Sequence, residues 1–71
     1  MSPELFRRIG QAVGGALWQD AVAAELKVRN DTVRYWANGR REIPDFIPER
    51  VRKMLDEHVA YLQELRDRLP E

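Results

Sequence analysis

The sequence predicts an all-α protein folded as one small domain. Its apolar residues recur at the spacing of helix faces, and no segment of useful length alternates as a half-buried β-strand does. Proline and glycine stand where helices are expected to begin and end. With 71 residues, of which 44% are apolar and 34% charged, the chain has a globular composition and room for a single domain. Within the domain 1–71 we expect a core over residues 1–44 and a C-terminal helix over 48–69.

The first helix is predicted over about residues 3–13. Ser2, Pro3 and Glu4 supply an N-cap, a proline at the first helical position and an acid in the first turn. Gly14-Gly15 ends the helix. Its inward face is expected to consist of four apolar residues at helical spacing, Leu5, Phe6, Ile9 and Val13.

Two short helices are predicted next. The second starts near residue 17 or 18 and ends near 27, and the third starts at 29 or 30 and is ended by Asn38-Gly39. The apolar residues available for their inner faces are Leu17, Val22, Ala23, Leu26, Val28, Val33, Trp36 and Ala37. Two short helices that cross at a steep angle need apolar side chains on their inner faces and a small residue, here Ala23, where their backbones approach most closely. This is the pattern of a helix-turn-helix. We interpret Trp18 and Trp36 as core residues rather than as stacking platforms.

The longest predicted helix opens at Pro48, after a short turn that carries Phe46 and Ile47, and runs to about Leu69. Six residues spaced alternately by four and three form a heptad seam along it: Val51, Leu55, His58, Leu62, Leu65 and Leu69. The proximal part of this seam is expected to cover the core, whereas the part from about His58 onward has nothing left in this small chain to cover.

We therefore expect the distal half of the long helix to pair with the same helix of a second subunit. The residues expected at this dimer interface are His58, Val59, Leu62, Leu65 and Leu69. His58 is interpreted as a packing residue of the seam, with a pH-sensitive dimer contact as the alternative.

The charge of the chain is balanced overall but not along its length. Twelve basic and twelve acidic residues give a net charge of zero, with +2 over residues 1–44 and −2 over residues 45–71. Residues 27–41 hold five basic residues and one acidic residue, a net charge of +4. Such a block on a neutral protein is typical either of a face that binds a polyanion or of an ordinary solvated surface.

Residues 15–44 resemble the helix-turn-helix of the lambda-repressor-like (Cro-like) DNA-binding family. Besides the apolar spacing, the likeness includes Gly15-Ala16-Leu17-Trp18-Gln19 and Asn38-Gly39-Arg40-Arg41-Glu42-Ile43-Pro44. Three features depart from the family pattern. Lys27 stands where a glycine with positive φ is usual, Arg29 stands where a Ser or Thr N-cap is usual, and one long C-terminal helix replaces two shorter ones. The resemblance implies a lambda-repressor-like domain of about four helices whose third helix enters the major groove of double-stranded DNA.

The resemblance also implies which residues contact bases: Asn30, Asp31, Thr32, Arg34 and Tyr35. Arg34 is the leading candidate because a guanidinium can bond both acceptors of a guanine edge, and the alternatives are a phosphate contact or a solvated arginine. Asn30 either reads adenine or caps the helix. Asp31 either accepts a hydrogen bond from a cytosine amine or orients Arg34 three residues on. Thr32 would touch a thymine methyl or a phosphate, and the hydroxyl of Tyr35 a base or a phosphate.

Phosphate contacts are expected from Gln19, at the N-terminus of the second helix, and from Arg29, Asn38, Arg40 and Arg41. For Arg40 or Arg41, insertion into the minor groove is the alternative. A symmetric dimer would hold two recognition helices about 34 Å apart, one turn of DNA, and would imply an inverted-repeat operator.

An enzyme is not expected. One His, one Ser, one Thr and no Cys supply no nucleophile–base pair. Because no Gly-rich phosphate loop or metal-ligand cluster is present, we expect neither a cofactor nor a metal. The apolar runs are far shorter than the roughly 18 residues that span a bilayer, and the N-terminus lacks the order of a secretory signal, so a cytoplasmic chain is expected.

The hypothesis from the sequence is a homodimeric, sequence-specific regulator of transcription. Its simplest mechanism is repression by occluding a promoter, such as that of its own gene. Small stand-alone chains with this resemblance are often regulators of phages or mobile elements, including those that repress anti-CRISPR operons. The alternative is a protein-interaction module, such as an antitoxin that binds a toxin through the long helix.

Overall fold

The regular structure of the chain is helical in a computed structural model, which describes residues 1–70. The helices are α1 (Pro3–Gly14), α2 (Trp18–Leu26), α3 (Asn30–Ala37) and α4 (Ile47–Asp67). A 3₁₀ turn over Gly15–Leu17 joins α1 to α2. No strand occurs within the described residues, so the prediction of an all-α chain is confirmed.

The ends of α1 follow from its local sequence. The Ser2 hydroxyl oxygen accepts a hydrogen bond from the backbone N–H of Leu5 at 3.1 Å, and Pro3 occupies the first helical position. Gly15, with a φ of 64°, ends the helix. Within α1, Gly10 lies so close to the indole of Trp18 that an added Cβ would overlap the ring. Glycine at this position therefore allows α1 and α2 to approach closely.

Three residues, Lys27 to Arg29, connect α2 to α3. Lys27 adopts the left-handed conformation, with φ 58° and ψ 44°, which glycine adopts more readily than a residue with a side chain. The backbone N–H of Val28 donates to the carbonyl oxygen of Ala23 at 3.0 Å and closes the end of α2. The turn thus fixes the direction in which α3 leaves α2.

The core lies where α1, α2 and α3 meet the first half of α4. Its buried apolar side chains are Phe6, Trp18, Val22, Ala23, Leu26, Val33, Trp36, Ala37, Ile43, Ile47, Val51 and Met54. The ring of Phe6 meets Trp18 and Trp36 edge to face, with centroid distances of 5.8 and 6.0 Å. The interpretation of both tryptophans as core residues is confirmed.

A polar contact ties α1 to the end of α3. The Nη1 of Arg7 donates to the carbonyl oxygen of Ala37, the last residue of α3. A carbonyl at this position has no partner within the helix, and the negative end of the helix dipole favours a cation. Arg7 therefore links α1 to the C-terminal end of α3.

Three residues do not lie where the sequence pattern places them. Leu17 belongs to the 3₁₀ turn before α2 and is 76% exposed, because the tighter turn rotates it out of the α2 face. Leu5 is 48% exposed, since it lies at the edge of the α1 face that Phe6 occupies centrally. Leu69 lies beyond α4, which ends at Asp67, because the residue before Pro70 disfavours helical geometry.

The second half of α4 projects away from the core. Its 21 residues span about 32 Å, and the molecule measures 47 × 23 × 20 Å. From Val59 onward every described residue is exposed. Among residues 1–70, no helix combines the length and the apolar character needed to cross a membrane.

Replacing Lys27 with glycine is expected to raise the free energy of unfolding by about 0.5–1 kcal/mol. Relief of the left-handed strain exceeds the entropy that glycine adds to the unfolded chain. Urea unfolding followed by tryptophan fluorescence measures the change.

The matched control is Gly39→Ala. Gly39 also has a positive φ, of 78°, and the nearest atom to an added Cβ is 3.8 Å away, so only backbone strain is introduced. This variant should lose stability. A Lys27→Gly protein less stable than the wild type would contradict the assignment of strain to residue 27.

Candidate nucleic-acid interface

The candidate site is the exposed side of α3 together with the segments at its two ends. Three side chains of α3 face the core: Val33, Trp36 and Ala37. On the other side Arg34 is exposed, and Thr32 and Tyr35 are half-buried. The eight residues of α3 make a rod about 12 Å long, buried along one side and open along the other.

The backbone of Arg29, rather than the side chain of Asn30, begins α3. Arg29 is extended, with φ −75° and ψ 150°, and its side chain makes no capping hydrogen bond. Asn30 is the first helical residue, and its Nδ2 donates to the Oδ1 of Asp20 in α2. The alternative in which Asn30 caps the helix is therefore wrong, because an N-cap residue lies before the first helical residue.

Asp31 pairs with Arg29 and not with Arg34. The Arg29 Nη2 and the Asp31 Oδ2 are 3.3 Å apart, and the two side chains are 84% and 35% exposed. An exposed pair of this kind contributes little to stability. The alternative in which Asp31 orients Arg34 is wrong, since the hydrogen bonds and ion pairs found within residues 1–70 join Asp31 to Arg29 and not to Arg34. Within residues 1–70 the guanidinium of Arg34 takes part in no ion pair or hydrogen bond.

A tight turn after α3 holds a second group of polar residues. The Oδ1 of Asn38 accepts from the backbone N–H of Arg40 at 3.1 Å, and the N–H groups of Arg40 and Arg41 donate to the carbonyl oxygen of Tyr35 at 3.0 and 3.3 Å. Gly39, with its positive φ, allows the chain to reverse there. The guanidinium of Arg41 lies 4.9 Å from the centroid of the Tyr35 ring, in a cation–π contact. The turn therefore places Arg41 against α3.

The first turn of α2 meets the first residue of α3. Gln19, Asp20 and Asn30 line one shallow cleft of about 210 Å³, together with residues 16–18. No side chain caps the N-terminus of α2. Backbone N–H groups at an uncapped helix start are available as donors to an anion. Gln19 thus lies at the uncapped start of α2, the position from which a phosphate contact is predicted.

All ten residues expected to contact nucleic acid lie on α3, in the first turn of α2, or in the two turns that flank α3. They are Asn30, Asp31, Thr32, Arg34 and Tyr35, with Gln19, Arg29, Asn38, Arg40 and Arg41. Sequence reasoning missed the part played by Asp20, whose contact with Asn30 crosses from one helix to another. Its position in the first turn of α2 was the only available signal.

The residues expected at a dimer interface lie on or just beyond the projecting half of α4. His58 is half-buried and lines a groove with Val13, Glu25, Met54 and Tyr61, so it packs at the edge of its own core. The other four are exposed: Val59, Leu62, Leu65 and Leu69. Of these, Leu69 lies outside the helix, so the helical part of the expected interface is shorter than the sequence predicts.

Comparisons with protein-family models, with curated proteins and with solved structures found no match to this chain. Its function must therefore be inferred from its own residues and their geometry. The functional groups around α3 are guanidinium groups, side-chain amides, the hydroxyl of Thr32, the phenol of Tyr35 and the carboxylates of Asp20 and Asp31. Within residues 1–70 no three His, Asp or Glu side chains are grouped so as to hold a metal ion.

Proposed function

We propose that the protein is a sequence-specific binder of double-stranded DNA that regulates transcription. In this proposal α2, the turn at 27–29 and α3 act as a helix-turn-helix, without catalysis. The observation that carries the proposal is the arrangement of α3, which is buried along one side and bounded at both ends by basic side chains. The simplest mechanism is repression by occlusion of a promoter, such as that of its own gene.

The dimensions of α3 suit the major groove. That groove is about 12 Å wide and admits one α-helix, whose diameter with its side chains is about 10–12 Å. Arg34 lies in the middle of the open side, exposed and without an intramolecular partner among the described residues. A guanidinium so placed is available for the two acceptors of a guanine edge.

Phosphate contacts at the two ends of α3 would set the register of the helix in the groove. One group comprises Arg29, Gln19 and the N–H groups at the start of α2. The other comprises Asn38, Arg40 and Arg41, held by the turn after α3. The whole chain has a net charge of zero, but residues 27–41 carry a net charge of +4. The electrostatic attraction to DNA in this proposal therefore comes from that segment and not from the net charge of the chain.

The proposal includes a symmetric dimer formed through the projecting half of α4. Four apolar side chains of that half are 40–56% exposed: Val59, Tyr61, Leu62 and Leu65. A helical segment of about ten residues that packs against nothing is only marginally stable in water, and packing against the same segment of a second copy would stabilise it. A second copy presents the same face under two-fold symmetry and supplies the second recognition helix for an inverted repeat.

The same exposed face favours a second candidate, a protein-interaction module such as an antitoxin that covers α4 with a toxin. The two candidates differ in what the isolated chain does. If the chain dimerises, the apolar face of α4 is covered by the second copy. If its partner is a different protein, the isolated chain remains a monomer with that face exposed to water.

Arg34→Ala is expected to lose about 1–3 kcal/mol of preference for a selected DNA sequence over unrelated duplex, while non-specific binding changes little. The sequence would come from in vitro selection on randomised duplexes, and competition gel shifts measure the preference.

The control for charge is Arg52→Ala, which removes the same group from an exposed position on α4. It should leave the preference unchanged. Equal weakening of Arg34→Ala on every duplex would identify Arg34 as a phosphate contact and reject its base-reading role.

The double variant Leu62→Glu, Leu65→Glu is expected to convert the dimer to a monomer, because it buries like charges at a two-fold interface. Light scattering measures the mass, and far-UV circular dichroism checks that the core helices persist. Ala60→Glu is the matched control, since Ala60 is exposed on the opposite side of α4. A wild-type chain that is itself monomeric would rule out the α4 dimer and favour the protein-partner candidate.

A further inference from the structure

We propose that Tyr35 acts in DNA binding through its ring and not through its hydroxyl, by holding the guanidinium of Arg41 where it meets a phosphate at the edge of the major groove. This inference rests on the DNA-binding function proposed above and deepens it. It assigns Tyr35 as a positioning residue, and it assigns Arg41 to a phosphate in preference to the minor groove.

Arg41 is held at both ends of its side chain. Its backbone N–H donates at 3.3 Å to the carbonyl oxygen of Tyr35, in the last turn of α3, where carbonyl groups have no partner within the helix. Its guanidinium then lies over the ring of the same tyrosine, 4.9 Å from the centroid. Two residues further on, Ile43 is buried in the core. The backbone and the charged group of Arg41 are therefore both fixed relative to α3.

The ring contact leaves the hydrogen-bonding groups of Arg41 available. A guanidinium is planar and carries its five N–H donors around its edge, so a ring against its face uses none of them. Within residues 1–70 these donors form no hydrogen bond or ion pair, and the residue is exposed. Two parallel N–H groups suit a phosphate. Because Arg41 is ordered before DNA arrives, it loses less conformational entropy on binding.

The same contact distinguishes Arg41 from Arg40 and limits what Tyr35 can do. Insertion into the minor groove requires an arginine that extends away from the helix in the major groove, whereas Arg41 is held against that helix. With α3 in the groove, a guanidinium at its C-terminal end lies beside the sugar–phosphate backbone that borders the groove. The ring face of Tyr35 that Arg41 covers is not available to stack on a base.

The test is a double-mutant cycle on a duplex selected in vitro, with Kd measured by fluorescence anisotropy at several salt concentrations. Tyr35→Phe keeps the ring and should bind like the wild type. Tyr35→Leu should weaken binding about two- to tenfold, the range for ordering one long side chain. In an Arg41→Ala background, Tyr35→Leu should have no further effect, since it acts only through Arg41.

The salt dependence separates making the contact from holding it. Arg41→Ala removes one phosphate contact, so it should weaken binding to every duplex and reduce the slope of log K against log salt by about 0.9. Tyr35→Leu leaves the cation in the protein and should keep the slope of the wild type. Arg52→Ala, which removes an exposed guanidinium from α4, is the control and should change neither quantity.

A second measurement needs no DNA. In the free protein, the ring of Tyr35 should shift the NMR resonances of the Arg41 δ-protons upfield, and Tyr35→Leu should abolish the shift. Unshifted δ-protons in the wild type would overturn the inference. Far-UV circular dichroism checks that the helices persist in each variant. Tyr35→Met, with an unbranched side chain that adapts to the space of the ring, replaces the leucine variant if that variant fails to fold.

Three binding results would also overturn the inference. Equal losses for Tyr35→Phe and Tyr35→Leu would identify the hydroxyl as the DNA contact. Additive losses in the double variant would show that Tyr35 acts independently of Arg41, and they reject only the role of Tyr35. A change of preference at A·T base pairs in Arg41→Ala would assign Arg41 to the minor groove. Absence of any selected sequence with the wild type would instead reject the DNA-binding function itself.

Discussion

The packing of Phe6 between Trp18 and Trp36 is the interaction on which the rest of the structure depends. It brings together one residue from each of α1, α2 and α3, with ring centroids 5.8 and 6.0 Å apart. Edge-to-face pairs of this kind are worth about 0.5–1.5 kcal/mol each beyond the area that they bury. Trp18 begins α2 and Trp36 lies near the end of α3, so the cluster fixes both helices against α1. Gly10 provides the space that the Trp18 ring fills. The open side of α3 is presented rigidly because its other side is held here.

Neighbouring side chains hold some residues of the candidate interface and leave others free to adapt. Asp20 holds Asn30 at the start of α3, and Arg41 lies on the ring of Tyr35 near its end. Side chains ordered before binding lose less conformational entropy when they bind. Arg34, in the middle of the helix, has no such neighbour among the described ion pairs and hydrogen bonds. The proposed interface thus combines two ordered ends with a central arginine that can adjust to a base edge.

The long helix α4 serves the core and the proposed dimer with one continuous seam. Ile43 and Ile47 are buried, so the start of α4 is anchored in the core. Val51 and Met54 continue this contact, and beyond His58 the same side of the helix is exposed. Because the anchor is rigid, a contact between two copies at the far end of α4 would also determine the separation of the two α3 helices. In the proposed dimer, core packing therefore contributes to the spacing of DNA half-sites.

The sequence by itself determined the helical elements and most of the buried residues. The signals for helix ends were local, as at Ser2-Pro3, Gly14-Gly15 and Asn38-Gly39, and a cap or a positive φ depends on residues only a few positions apart. Apolar spacing predicted Trp36 on the inner face of its helix, and the helix-turn-helix pattern predicted Trp18 in the core. Only the tertiary structure decided which polar groups meet: Arg7 with Ala37, Asp20 with Asn30, and Asp31 with Arg29 rather than Arg34. Two of these contacts join different helices, and all three depend on where each helix starts and how it is rotated. Periodicity does not specify those quantities, because they are set by how the aromatic core packs.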